Sequence, residues 1–363
     1  MQSALWLAPL ALWLAYGYSD AAKSPLDVLY FALTALFWIG HRLGSTYLAY
    51  CTEAYRPLLR MQPVRFVVLP ILITIACFIV FVPADDALPW SRQERVIWAA
   101  IVDYTFVTYH FAAQHFGALS LYRSRAGRSA CLRTRRMDRA FALLIGGLFV
   151  LVADALAGAV AYQQEWIARG YFPDFIASNQ DAIRVAATVV LLGAAAAMLV
   201  AELRAPQWSL PRVLYIVGLA TMVCIALRPR SLFLFLVIWT SQHWILAVGL
   251  TSQTVQKERA PEQGSMRRAL HAINARPWAL MLLLVAVSVL LLPVFEVEAV
   301  GQGDAYYGER LFGAFATALR TSSWVPALVA LGFATGFIHY LLDRSVYRFS
   351  NADVRTAASG LMR

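Results

Sequence analysis

Four histidines, His41, His110, His243 and His339, fall at similar depth in four separate apolar stretches of the chain, and His115 lies five residues beyond His110. A strongly polar side chain in the hydrocarbon core of a bilayer is costly, so it marks a function and calls for a partner. Imidazoles gathering from several helices have a simple partner in a metal ion or a haem iron, since neutral imidazole suits iron, copper and zinc. Other polar groups sit at helical spacing from them. Asp103, His110 and Gln114 share one helix face, at spacings of seven and four. His339 and Asp343 form an i,i+4 pair, in which the carboxylate can orient a ligating ring through its second nitrogen. Ser45 lies one turn from His41. The expected ligands are therefore His41, His110, His115, His243 and His339, with Asp103, Gln114 and Asp343 in catalytic or ring-orienting roles. On an ideal helix His115 stands about 140° around from His110. Only a π-bulge would aim both at one ion; otherwise His115 serves a second centre or a hydrogen bond. His271, in a basic loop, reads as solvated, and Glu202, at the end of an apolar stretch, reads as interfacial.

The elements that must position these groups are membrane helices. The chain has 363 residues, 60% of them hydrophobic and 14% charged, with a mean hydropathy of +0.60. Soluble domains run near 25% charged, and uninterrupted apolar stretches of this length argue for helical spans rather than a β-barrel. Ten such stretches can be drawn, at 3–18, 26–50, 66–82, 96–122, 140–162, 182–202, 213–227, 231–252, 278–295 and 325–347. The predicted fold is all-α, a polytopic transmembrane bundle of about ten spans forming one integral membrane domain over 1–363. Pro70 and Pro211 read as helix punctuation. Four scattered cysteines with no CxxC pair give no disulfide framework, and the N-terminus reads as a retained span rather than a signal peptide.

Loop charge orients the bundle. Residues 123–139 hold seven arginines against one acid, Asp138, and 253–277 is a second basic loop. Arginines also follow the second and tenth stretches, while Asp85, Asp86, Glu94, Asp174, Asp181, Glu296 and Glu298 fall on the other side. The alternation places both termini, the two basic loops and a tail at 348–363 in the cytoplasm. The Arg228-Pro229-Arg230 turn dissents. Residues 296–324 form an outer loop that can hold an interfacial helix. Because the arginines track topology, the net charge of +10 does not imply nucleic-acid binding.

In this topology all four helices bearing the isolated histidines run inward. Each histidine then sits roughly 18–22 Å below the outer surface of a ~30 Å core, the condition for a shared site. One expectation is a non-haem iron centre that activates O₂ against a lipophilic substrate (a carotenoid, another isoprenoid or an acyl lipid) entering from the bilayer, served where needed by an electron donor. A second is one or two b-type haems on paired histidines, in an electron-transfer or haem-modifying protein. A third is a proton- or metal-coupled transporter, weakened by the lack of a visible repeat.

In layout the isolated His41, His110, His243 and His339 resemble the polytopic bacterial β-carotene 15,15'-dioxygenases. That resemblance implies one iron held by histidines from several helices, in an inner-membrane oxygenase. The segments Gly40-His41-Arg42-Leu43-Gly44 and His339-Tyr340-Leu341-Leu342-Asp343-Arg344 also look like parts of little-characterised bacterial membrane proteins. The HxxxH and HxxHH boxes of desaturases and alkane hydroxylases are absent.

Overall fold

The computed structural model describes residues 39–127, 131–157, 178–227, 232–256, 264–296, 314–348 and 351–357, and these are helical throughout apart from short turns. In chain order the helices are α1 (39–51), α2 (Arg56–Met61), α3 (Leu69–Phe81, entered through a π-helical turn, Val64–Val68), α4 (Arg92–Arg125), α5 (Leu132–Ala157), α6 (Gln180–Leu203) and α7 (Leu210–Ala226). They continue with α8 (Leu232–Val255), α9 (Ser265–Asn274), α10 (Pro277–Glu296), α11 (Ala314–Arg320), α12 (Val325–Val346) and α13 (Ala352–Ala357). Among the described residues, Val64–Phe81, Arg92–Arg125, Asp181–Leu203 and Val325–Val346 are long and apolar enough to cross a membrane. A further pair, Arg268–Asn274 and Trp278–Leu291, is bent by 107° at its joint. These helices make the chain a membrane protein. The stretch at 3–18 lies outside the described residues, as does most of that at 26–50.

The chain divides into two compact units, one drawn from residues 107–243 and the other from 39–106 together with 244 onward. In the second, α3 and α12 pack face to face. Cys77 and Phe81 of α3 meet Val329, Ala330, Phe333 and Ala334 of α12, with the Phe81 and Phe333 rings stacked at 4.9 Å. The rest of α3 exposes Ile71, Leu72, Ile75 and Ile79, as a helix bathed in lipid should. The π-helical turn precedes Pro70, whose missing N–H would have bonded the Phe66 carbonyl in a regular helix. The Tyr50 hydroxyl donates to that carbonyl instead. At the other end of α3, Arg95 is buried and caps the last turn, donating to the carbonyls of Val80 at 2.6 Å and Pro83 at 3.1 Å. A guanidinium is the right group for orphan carbonyls at the negative end of a helix. The start of α4 carries a reciprocal cap, with Ser91 N–H donating to Glu94 at 2.9 Å and Glu94 N–H to Ser91 Oγ at 3.3 Å.

A second core in this unit joins Tyr47 and Leu48 of α1, Leu58 of α2, Val248 of α8, Leu280 and Leu284 of α10, and Leu342 and Val346 of α12. Close approach of α1 rests on Gly40 and Gly44, a small-xxx-small pair on one face. A Cβ on Gly44 would lie 2.9 Å from Thr251 Oγ1, and one on Gly40 3.3 Å from Ser288 Oγ. The basic segment 253–277 is not simply a loop. It contains α9, whose Leu270 and Ile273 pack on this core while Met266 and Arg268 face out. Tyr47 OH donates to Asn274 at 2.6 Å and fixes the end of that helix.

In the other unit α5 packs on α6 and α6 on α7. Gly146 of α5 lets α4 approach, since a Cβ there would stand 2.9 Å from the Thr108 carbonyl. Helix shortens the basic segment at 123–139 from both ends, because α4 runs to Arg125 and α5 starts at Leu132. Its one acid explains why. Asp138 is fully buried and pairs with both Arg123 and Arg212. Arg212 also donates to Glu202 at 2.8 Å and to the Leu119 carbonyl at 2.8 Å. Glu202 in turn accepts the Ser209 N–H at 3.0 Å across the α6–α7 turn. Glu202 is thus buried and bonded, correcting the interfacial reading: two arginines and two carboxylates neutralise one another inside the protein.

Candidate metal site

In each unit two buried histidines meet ring to ring. In the unit of residues 107–243, His110 on α4 and His243 on α8 meet edge to face, with ring centroids 4.8 Å apart at 88°, and their Nε2 atoms are 3.1 Å apart. Gln114, one turn after His110, accepts a hydrogen bond from His243 Nδ1 through its side-chain carbonyl. That bond places the His243 proton on Nδ1 and leaves a lone pair on Nε2. The facing His110 Nε2 then either donates a proton to that lone pair or shares a cation with it. Phe111 closes the other side of His243, its ring centroid 4.5 Å away at 87°.

In the unit of residues 39–106 and 244 onward, His41 on α1 and His339 on α12 also meet edge to face, at 4.4 Å and 80°. Trp244 lies 6.2 Å from the His41 ring. His339 Nδ1 is 3.1 Å from Ser45 Oγ and 3.6 Å from Asp343 Oδ1. The serine hydroxyl is therefore the nearer partner, and the carboxylate stands behind it. Both partners address Nδ1, so Nε2 is the nitrogen left for coordination.

All four of these histidines are buried and each can offer one ring nitrogen to a metal ion. His115 does not join that ligand group. Helix α4 passes through residues 110–115 as regular α-helix, so no π-bulge turns the ring. His115 Nδ1 instead pairs with the Tyr215 hydroxyl at 2.8 Å. Asp103 accepts from Tyr340 OH at 3.1 Å, and Gly336 makes room for it. A Cβ on Gly336 would lie 3.5 Å from Asp103 Oδ1 and 3.6 Å from the Arg42 guanidinium carbon. Arg42 is buried and also donates to the Gly332 carbonyl at 3.5 Å. The Asp103 carboxylate thus belongs with Arg42 and Tyr340, near neighbours in sequence of His41 and His339. Arg42 is the residue that sequence reasoning missed. Its signal was an arginine in the middle of an apolar stretch, which calls for an acidic partner as firmly as a histidine calls for a metal. No protein-family model, curated protein or solved structure matches this chain.

Proposed function

We propose that the buried histidines hold non-haem iron, and that the protein is a membrane oxygenase acting on a lipophilic substrate such as a carotenoid, another isoprenoid or an acyl lipid. The observation that carries the reading is the 3.1 Å between the Nε2 atoms of His110 and His243. Two nitrogens bound to one ion at about 2.05 Å each are about 3 Å apart when they subtend an angle near 95–100°, the spacing of neighbouring ligands in a compact shell. The axial nitrogens of a haem stand opposite one another, about 4.1 Å apart at the same bond length, with the macrocycle between them. The His110–His243 spacing and the Phe111 ring against His243 favour the non-haem arrangement over that alternative.

Iron held by these histidines would supply the activation of O₂. The protein's own groups do the rest. The Gln114 carbonyl holds the His243 proton on Nδ1, Ser45 and Asp343 orient the ring of His339, and apolar helices exclude water around the reacting groups. A dioxygenation, which puts both oxygen atoms into the substrate, needs no outside electrons; a monooxygenation draws two from a separate electron donor. The layout resemblance to the bacterial β-carotene dioxygenases agrees with this reading, as does the shared depth of the four histidines in a bundle of about ten spans with both termini in the cytoplasm of a bacterial inner membrane.

Metal analysis and a visible spectrum of one purified sample test the proposal. Iron without a Soret band is the expected result, and a Soret band transfers the histidines to haem. His110→Ala and His339→Ala should each lose the metal while remaining folded; full metal content in both variants rules the site out.

A further inference from the structure

His115, outside the group of four histidines, has a tyrosine for a partner, and that tyrosine has another beside it. His115 Nδ1 lies 2.8 Å from the Tyr215 hydroxyl of α7, and the two ring centroids are 6.3 Å apart. The Tyr122 ring, near the end of α4, is 5.6 Å from that of Tyr215. All three side chains are buried. They lie in the same unit as the His110–His243 pair, and His115 follows His110 by five residues, about 7.5 Å along the helix axis. The rings therefore form a row from that pair towards the end of α4 that carries Arg123 and Arg125.

Helix docking alone does not account for the row. One turn away, Arg212 already holds α7 on α4 by donating to the Leu119 carbonyl at 2.8 Å, and Asp138 and Glu202 pin that arginine in turn. A hydrogen bond between membrane helices adds little to such an anchor, and it has no use for a second tyrosine ring. Redox chemistry uses every part. A phenol gives up an electron readily only when its proton can leave with it, because the radical cation is too acidic to persist. A neutral imidazole nitrogen at hydrogen-bond distance is the acceptor this requires, and the second ring carries the electron onward.

We propose that Tyr215 is a redox-active tyrosine, with His115 as its proton acceptor and Tyr122 as the next ring on an electron route to the basic end of α4. The route rests on the iron reading for its oxidant, and a one-electron carrier protein at the basic end is its reductant. His115 holds its resting proton on Nε2. In the first step the Tyr215 phenol loses one electron to oxidised iron and its proton to His115 Nδ1. This leaves a neutral tyrosyl radical, a protonated His115 and iron reduced by one electron. In the second, an electron from the carrier arrives through Tyr122, the proton returns from Nδ1, and both groups are restored. The route serves a monooxygenation, whose two electrons pass one at a time.

The test begins with the metal-free full chain, oxidised by photogenerated tris(bipyridine)ruthenium(III), frozen and read by electron paramagnetic resonance. The wild type should give a tyrosyl signal that Tyr215→Phe lacks and that Tyr109→Phe, at an exposed tyrosine, keeps. His115→Leu should slow its formation by about a hundredfold, the usual worth of a positioned proton acceptor. Tyr122→Phe should keep the signal and slow its reduction by ascorbate severalfold; an unchanged rate removes Tyr122 from the route. The thermal transition of each sample shows that the variants are folded. Equal signals in wild type and Tyr215→Phe overturn the assignment, and equal rates in H₂O and D₂O overturn the coupled proton transfer. Iron-loaded protein exposed to O₂ should form the same radical. Bound iron without the radical overturns the route and spares the iron reading, whereas the photogenerated radical in a protein that binds no iron overturns the iron reading and spares Tyr215.

Discussion

Replacing Asp138 by Asn removes one charge from the buried network and leaves its shape nearly unchanged. The network holds two positive groups, Arg123 and Arg212, and two negative ones, Asp138 and Glu202, all under a tenth exposed. Asp138→Asn strands one net positive charge there, weakening its bonds to both arginines. Removing one partner of a buried pair costs about 3–5 kcal/mol, because the remaining ion keeps its desolvation penalty without compensation. At roughly 1–2 °C per kcal/mol for a chain of 363 residues, the lower figure already means a fall of about 3–6 °C. Thermal unfolding in detergent, followed by far-ultraviolet circular dichroism, reads it. Glu202→Gln should cost less, since Arg212 keeps Asp138. A fall under about 2 °C for Asp138→Asn would refute the claim that these charges are truly withdrawn from water, as would an equal effect from exposed Arg204→Gln.

Gly44→Ala places a methyl 2.9 Å from Thr251 Oγ1, and overpacking of this kind costs about 1–3 kcal/mol; the same thermal assay should show the loss, and Thr251→Ala in the same chain should restore much of it. Cys131 is exposed, and hydrogen bonds from the Thr134 hydroxyl, then from its backbone N–H, hold the thiol below its ordinary range. A lowered thiol pKa means more thiolate at a given pH, so the maleimide labelling rate of Cys131 should reach half its maximum at lower pH than free cysteine does, and coincident profiles would refute the effect. Cys77 is buried against α12 and should not react in the folded protein.

What the sequence made legible was whatever depends on position along one helix. The i,i+4 relation of His339 to Asp343 follows from counting residues. His115 was not legible in this way: grouped with the expected ligands, it pairs with the Tyr215 hydroxyl instead. Pairings between helices were not legible. Arg212 and Asp138 are 74 residues apart, and Glu202 looked like an ordinary charge at the end of a span because nothing local discloses an arginine ten residues on that folds back over it. Asp103 was read with His110, on its own helix face, whereas its hydroxyl partner Tyr340 is 237 residues away. Helix α9 was hidden for another reason. Its charged residues dominate the composition of the segment, and only Leu270 and Ile273, once packed, reveal its apolar side.

The sharp angle between α9 and α10 has a mechanical consequence. A short amphipathic rod lying across the foot of a span responds to whatever crowds or stretches the bilayer surface, and its far end is free to tilt only as far as its near end allows. That near end is tied through Asn274 to Tyr47, six residues along the same rod that carries His41. Forces gathered where lipid meets water would thereby reach the helix that carries His41, so bilayer thickness and lateral tension become variables that act on the position of that ring.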